Sequence, residues 1–72
     1  MISSPVLLLR KKIIIKKLIK AGSISEATAK TLEEAGVFNP RAFPRLTQSM
    51  VEEGILGIIN NKKYYLKKIE KY

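Results

Sequence analysis

Three features of this sequence predict an α+β chain: three helices followed by a C-terminal β-hairpin. The first is the run from Gly54 to Leu66, GILGIINNKKYYL. A glycine stops a helix, a short apolar strand follows, Asn60-Asn61 sits where a tight turn belongs, and a second strand returns. Asparagine tolerates the positive φ that a type I′ turn needs at both central positions. The second feature is a helical apolar period through residues 1–20, interrupted by basic side chains. The third is the pair Gly22 and Gly36, each placed to close a helix.

The 72 residues make one small domain, residues 1–72, and a hydrophobic content of 46% suffices to fold it without cross-links. Cysteine is absent, so no disulfide or thiolate metal site contributes; this fits a reducing compartment. The formal charge of +8 and a pI near 10.0 favour a polyanionic partner. The longest apolar runs, Val6 to Leu9 and Ile13 to Ile15, are split by Arg10-Lys11-Lys12, so no membrane span is expected. The charges follow the first apolar run, unlike a signal peptide, and a cytoplasmic protein is the expectation.

The residue inventory argues against enzymatic chemistry. The chain has no His, no Cys and no Asp, and all six acids are Glu. That removes the common general base, the thiol nucleophile, most zinc ligand sets and the usual magnesium ligands. Glu33-Glu34 and Glu52-Glu53 remain, near helix ends where a solvated face is their ordinary role. The four glycines, at 22, 36, 54 and 57, form no phosphate-cradling loop. We expect no enzyme activity, no cofactor and no metal.

The first helix is expected over residues 4–21. Ser4 caps it, Pro5 fits its first position, and Gly22 supplies the left-handed residue after it. Leu7, Ile14 and Leu18 cluster on a helical period with Leu8, Ile15 and Ile19 beside them, which defines the buried face. Leu9 and Ile13 fall on the far side among Lys16, Lys17 and Lys20. Lys11 lands within the apolar face and must snorkel. Next, Ser23 with Glu26 matches a capping box, whereas Ser25 caps if Ile24 is extended. The second arrangement is preferred: a short strand at 23–24, then a helix over 25–35 with Ala27, Thr31, Leu32 and Ala35 inward and Gly36 closing it.

Asn39-Pro40 signals a turn, and Pro44 disfavours right-handed helical geometry at Phe43. Pro44 is comfortable only in a first helical turn, so the third helix spans 41–53. Phe43, Leu46 and Met50 share one face, with Val51 alongside. Arg41, Arg45, Gln48 and Glu52 lie opposite. Arginine grips guanine or phosphate through two bonds and glutamine does the same to adenine, so Arg41, Arg45 and Gln48 are candidate nucleic-acid contacts.

The hairpin is expected over 55–68. Alternation pairs Leu56 with Ile58 on one face and Tyr64 with Leu66 on the returning strand, the latter closing the core. Tyr65 then points outward, where its ring is a candidate contact to a sugar-phosphate backbone, alongside its ordinary role as a β-former. Lys62 and Lys63 at the tip are placed to reach a groove or phosphate. Charge is uneven along the chain: residues 1–20 carry +6, residues 62–72 carry +4, and residues 21–61 carry −2. A lysine-rich solvated surface would show the same imbalance.

From Ile24 to Leu66 the chain resembles a winged helix-turn-helix domain. The residues that carry the likeness are I-S-x-x-T-A-x-x-L-E-E-A-G-V, then F-x-x-L-x-x-x-M-V-E-E-G-I-L, then Y-Y-L. Archaeal and bacterial regulators of this superfamily, and Zα-type domains, show a similar order of helix, strand, two helices and wing. The resemblance implies a three-helix winged helix-turn-helix with a C-terminal β-hairpin wing. It further implies that the third helix enters a major groove while the wing contacts the backbone or minor groove. Carried over residue by residue, Arg41, Arg45, Gln48 and Ser49 take recognition-helix positions, and Lys62 and Lys63 take the wing tip. Pro44 and the Asn39-Pro40 turn depart from the pattern by lengthening the approach to that helix.

The leading expectation is therefore a small DNA-binding protein that recognises duplex DNA selectively and regulates transcription, of archaeal, viral or plasmid type. RNA binding or a ribosomal role is the alternative, because a small-subunit ribosomal protein of archaea and eukaryotes is similar in arrangement. That family carries a long lysine-rich N-terminal tail, and here residues 1–9 have no charged side chain. A protein–protein adaptor is the third class. Leu9 and Ile13, with Val6 continuing the row, form a narrow apolar stripe through which a homodimer is expected.

Overall fold

The computed structural model describes residues 5–67. Its elements are α1 (Pro5–Lys20), α2 (Pro44–Glu52), β1 (Leu56–Ile59) and β2 (Lys63–Leu66), with a short 3-10 turn at Glu26–Thr28. Pro5 opens α1, where a missing N–H costs nothing. The expected cap, Ser4, lies outside the described residues, as does the last residue of the expected hairpin span.

Both helices end by one mechanism. Gly22 and Gly54 adopt φ of 75° and 81°, a region that a Cβ penalises. After α1 the Gly22 and Ser23 N–H groups donate to the carbonyls of Ile19 and Leu18, at 3.0 and 2.9 Å. After α2 the Gly54 and Ile55 N–H groups donate to Val51 and Met50, both at 3.0 Å. These Schellman closures satisfy helix-end carbonyls and turn the next residue inward, so Ser23 and Ile55 are buried.

The helix expected over 25–35 does not form. Ser25 starts it, but Thr28 turns back and its hydroxyl accepts the N–H groups of Ile24 and Ser25, each at 3.0 Å. Ala29 then goes extended, at φ −58° and ψ 141°. Thr31 caps a separate single turn: its N–H donates to the Glu34 carboxylate and its hydroxyl accepts the Glu34 N–H, both at 3.0 Å. Serine and threonine side chains compete for backbone partners in this way, and three of them here favour two short capped turns over one helix. Ala27, expected inside, is exposed, while Leu32 and Ala35 are buried as the pattern requires.

The second reason for the break is the sheet. β1 and β2 pair antiparallel, Leu56 with Leu66 and Ile58 with Tyr64. The other edge of β2 is also occupied. Tyr64 and Lys30 exchange backbone hydrogen bonds at 2.7 and 3.0 Å, and the Leu66 N–H donates to Ser23 C=O at 2.8 Å. The Ser23 hydroxyl adds a bond to Tyr64 C=O at 2.6 Å. The strand expected at 23–24 is thus reduced to these anchors, with the ladder contact at Lys30 and with Ile24 exposed. Residues 23 and 30 must both lie beside β2, and a continuous helix between them would forbid it.

Ile14, Ile15 and Leu18 of α1, Met50 of α2, and Leu56 and Leu66 of the hairpin form the middle of the core. Leu32, Ala35, Val37 and Ile55 complete it. With no long second helix to cover them, Leu8 and Ile19 are 41% and 45% exposed, against the expectation that both lie beside the buried face. Lys11 does snorkel, reaching Glu53 Oε1 at 3.4 Å.

One charged residue is buried among the described residues. Arg10 shares the inward line of Ile14 and Leu18, and its residue is 7% exposed. Its Nη1 donates to Phe38 C=O at 2.6 Å, and Nη2 donates to Asn39 C=O at 2.9 Å and Ala42 C=O at 3.5 Å. The Phe43 ring lies 6.0 Å from the guanidinium carbon. Burial lowers the Arg10 pKa from its ordinary value, and no carboxylate balances the charge among the described residues. Arg10→Ala leaves backbone carbonyls that no second substitution can remove. It should cost about 3 kcal/mol, or a melting point lower by about 15 °C. Arg10→Lys, without the planar fork, should recover less than half of that loss in urea unfolding. Wild-type stability in both variants would show that the guanidinium does not hold this loop.

Candidate nucleic-acid interface

The loop between Val37 and α2 carries Arg41 into open solvent, and Arg45 follows it, exposed, in the first turn of α2. Val37 is buried, which plants the loop on the core. Asn39 adopts φ 50°, Pro40 follows, and the Ala42 N–H closes a turn onto Asn39 C=O at 3.0 Å. Proline fixes its own φ near the value a turn's second residue needs, so Arg41 is carried outward at the tip. Phe43 adopts φ 54° and ψ 55° and caps α2, which begins at Pro44 rather than within 41–43. A left-handed phenylalanine is uncommon. Here Pro44 bars the right-handed alternative, and the Arg10 bond to Ala42 fixes the preceding peptide. Phe43 was expected on the inner face with Leu46 and Met50; instead it is 42% exposed and covers the guanidinium.

Along α2 the expected solvent face is present: Arg45, Gln48 and Glu52 are exposed, while Thr47 and Met50 are buried. The two ends of that face differ in charge. Among the described residues Arg41 and Arg45 have no ion-pair partner, and residues 35–51 contain no acid. Further along, the Gln48 amide donates to Glu52 Oε2 at 3.4 Å and the Ser49 hydroxyl to Glu53 Oε2 at 3.1 Å. Ser49 is half-buried as well as engaged. An approaching anion therefore meets favourable charge at Arg41 and Arg45 and repulsion near Glu52 and Glu53. The paired glutamates have ordinary surface roles: Glu34 caps, Glu53 bridges to Lys11 and Glu52 holds Gln48.

In the hairpin, Asn60 and Asn61 adopt φ of 56° and 58°, the sign a type I′ turn needs, and Lys62 N–H donates to Ile59 C=O at 3.2 Å. Pairing resumes at Ile59 with Lys63, so Lys62 is an extra residue at the tip and is exposed. Lys63 is half-buried and lies near enough to Glu34 to hold its pKa down. The larger cause of that depression is the Thr31 N–H bond, and Lys30 contributes least. A Lys63 facing Glu34 is a weaker phosphate ligand than Lys62. Tyr65 is half-buried opposite Gly57, and a Cβ on Gly57 would collide with its ring. Its ring covers bare backbone, as aromatics do beside strand glycines. No hydrogen bond or ion pair among the described residues joins Arg41 or Arg45 to Lys62 or Lys63.

The periodicity placed Arg10 in register with Ile14 and Leu18, so a signal for its burial was present. Phe38 had none, since no period governs a loop. It is 86% exposed, the most exposed large apolar side chain among the described residues. Comparison with protein-family models, with curated proteins and with solved structures yields no match. No helix among the described residues is long and apolar enough to cross a membrane.

Proposed function

We propose that the protein binds nucleic acid through the start of α2, as a small winged-helix-like regulator of duplex DNA. The observation that carries this reading is the uncovered pair Arg41 and Arg45 on a stretch without acids, in a chain of net charge +8. Recognition helices present their N-terminal residues to base edges, which is the end of α2 that carries the positive charge. The hairpin follows α2 in the order a wing requires, with Lys62 free to meet a phosphate. At nine residues α2 is about 13 Å long, so it would enter a major groove end-on and read few base pairs. Regulation of transcription and the winged-helix relationship itself rest on this arrangement and on the sequence resemblance.

Two copies would let the protein read a palindrome. Val6 and Leu9 are each 59% exposed, although Ile13, expected beside them, is half-buried. An antiparallel pair of α1 helices centred on Leu9 sets Lys12 of each copy opposite Val6 of the other and carries Lys16 and Lys20 past its Pro5. The lysines then do not face one another. Sedimentation at micromolar concentration should show a dimer that Leu9→Lys disperses. A monomer, free and on DNA, would remove this part of the proposal.

If about five phosphates are neutralised, log affinity for duplex DNA should fall with log salt at a slope of about −4 to −5. Arg45→Glu should weaken binding about tenfold and reduce that slope by about 1. Lys62→Glu should act in the same direction. Lys30→Glu should do little, because Lys30 lies beside Glu34 and on the sheet edge. Fluorescence anisotropy reads all three. Salt-independent binding would reject a nucleic-acid ligand, and equal effects at all three positions would reduce the basicity to a diffuse field.

A further inference from the structure

We infer that the Phe38–Arg45 loop is a stacking platform for an unpaired base, flanked by phosphates that Arg41 and Arg45 hold. The inference rests on the nucleic-acid reading above and specifies the ligand within it. Phe38 is 86% exposed, although a buried core lies one residue away at Val37. Its ring cannot simply fold inward. Arg10 fixes the Phe38 carbonyl at 2.6 Å and the Asn39 carbonyl at 2.9 Å, and Asn39 and Pro40 stiffen the chain beyond. With its backbone already fixed, this residue loses only side-chain rotamer freedom when something covers the ring.

The surroundings identify the chemistry of that partner. Arg41 and Arg45 sit on the same short loop-to-helix segment, unpaired among the described residues and without an acid from residue 35 to 51. An exposed ring on the same segment as two exposed guanidinium groups matches a base and its neighbouring phosphates, because aromatic side chains stack on any base face while arginines track the backbone. Bases inside a duplex already stack on one another and show only their edges in the grooves. Along a duplex Phe38 therefore finds no free face, and it gains one where a base is unpaired, in a single strand or at an overhang. Phe43, with one side on Arg10, adds a second aromatic surface to the same loop.

The chain has no tryptophan, so Phe38→Trp creates a single reporter at a position outside the core. Its emission is followed with a blunt duplex, the same duplex carrying a short overhang, that overhang made abasic, and vesicles containing anionic phospholipid. The base-bearing overhang should quench the emission. It should also bind the wild-type protein about tenfold more tightly than the abasic overhang. Phe38→Ala should abolish that difference and leave blunt-duplex affinity unchanged. Equal wild-type affinity for the two overhangs overturns the inference while leaving duplex binding in place. A blue shift on vesicles without quenching by any oligonucleotide overturns it in favour of a lipid surface. Loss of binding to every oligonucleotide rejects the nucleic-acid reading as well.

Discussion

A buried guanidinium with no carboxylate partner among the described residues organises this protein. Arg10 extends from α1 into the core and its fork ends on backbone carbonyls of a loop some thirty residues later in the chain. Carbonyl oxygens carry only partial charge, so they stabilise a buried cation less than a carboxylate would. They have a compensating property: each is fixed to the main chain, so bonding the two Nη groups fixes the path of residues 38–42, while the buried Nε has no partner among the described residues. Apolar replacement, which often tolerates the loss of a buried ion pair, is closed here because the acceptors are backbone. The loop's left-handed residues at Asn39 and Phe43 and the late start of α2 follow from that anchor.

The other constraint is the strand β2, which is hydrogen-bonded along both edges although the sheet has only two strands. A two-stranded hairpin alone is marginal in water. Here Ser23 and Lys30 supply the missing neighbour through single anchors, and α1 and α2 cover one face. The segment between those anchors is shaped by their positions more than by its own helix propensity. The described residues thus form two α-helices where three were expected, and leave Leu8, Ile19 and Ile24 exposed.

What the sequence made legible is what local chemistry decides. The glycine closures after both helices, the Asn60-Asn61 turn, the alternation that puts Leu56 with Ile58 and Tyr64 with Leu66, and the solvent face of α2 all follow from short-range rules. The exclusion of right-handed geometry at Phe43 was legible too, but not that its ring would leave the core for Arg10. The second helix failed because Ser25, Thr28 and Thr31 each offer a competing cap and because the pairing of Lys30 with Tyr64 is long-range. The motif Thr31-Leu-Glu-Glu34 is a capping box that marks the second turn, a local sign that the segment breaks. At the candidate site Arg45 and Gln48 lie on the solvent face of α2 as expected, whereas Arg41, expected on that helix, is exposed in the turn before it. Ser49, Lys63 and Tyr65 prove to be engaged with Glu53, Glu34 and Gly57, partners that spacing alone does not reveal.

The loop is held by Arg10 or it is not, and the side chain's own nitrogen resonances report which. In the anchored state the Arg10 Nη protons should be individually resolved, slow to exchange with water, and in nuclear Overhauser contact with protons of Phe38, Asn39 and Phe43. Those signals should persist when the other arginines have averaged, because only Arg10 is buried among carbonyls. A single averaged, rapidly exchanging Nη signal from Arg10, no different from those of Arg41 and Arg45, would contradict the account.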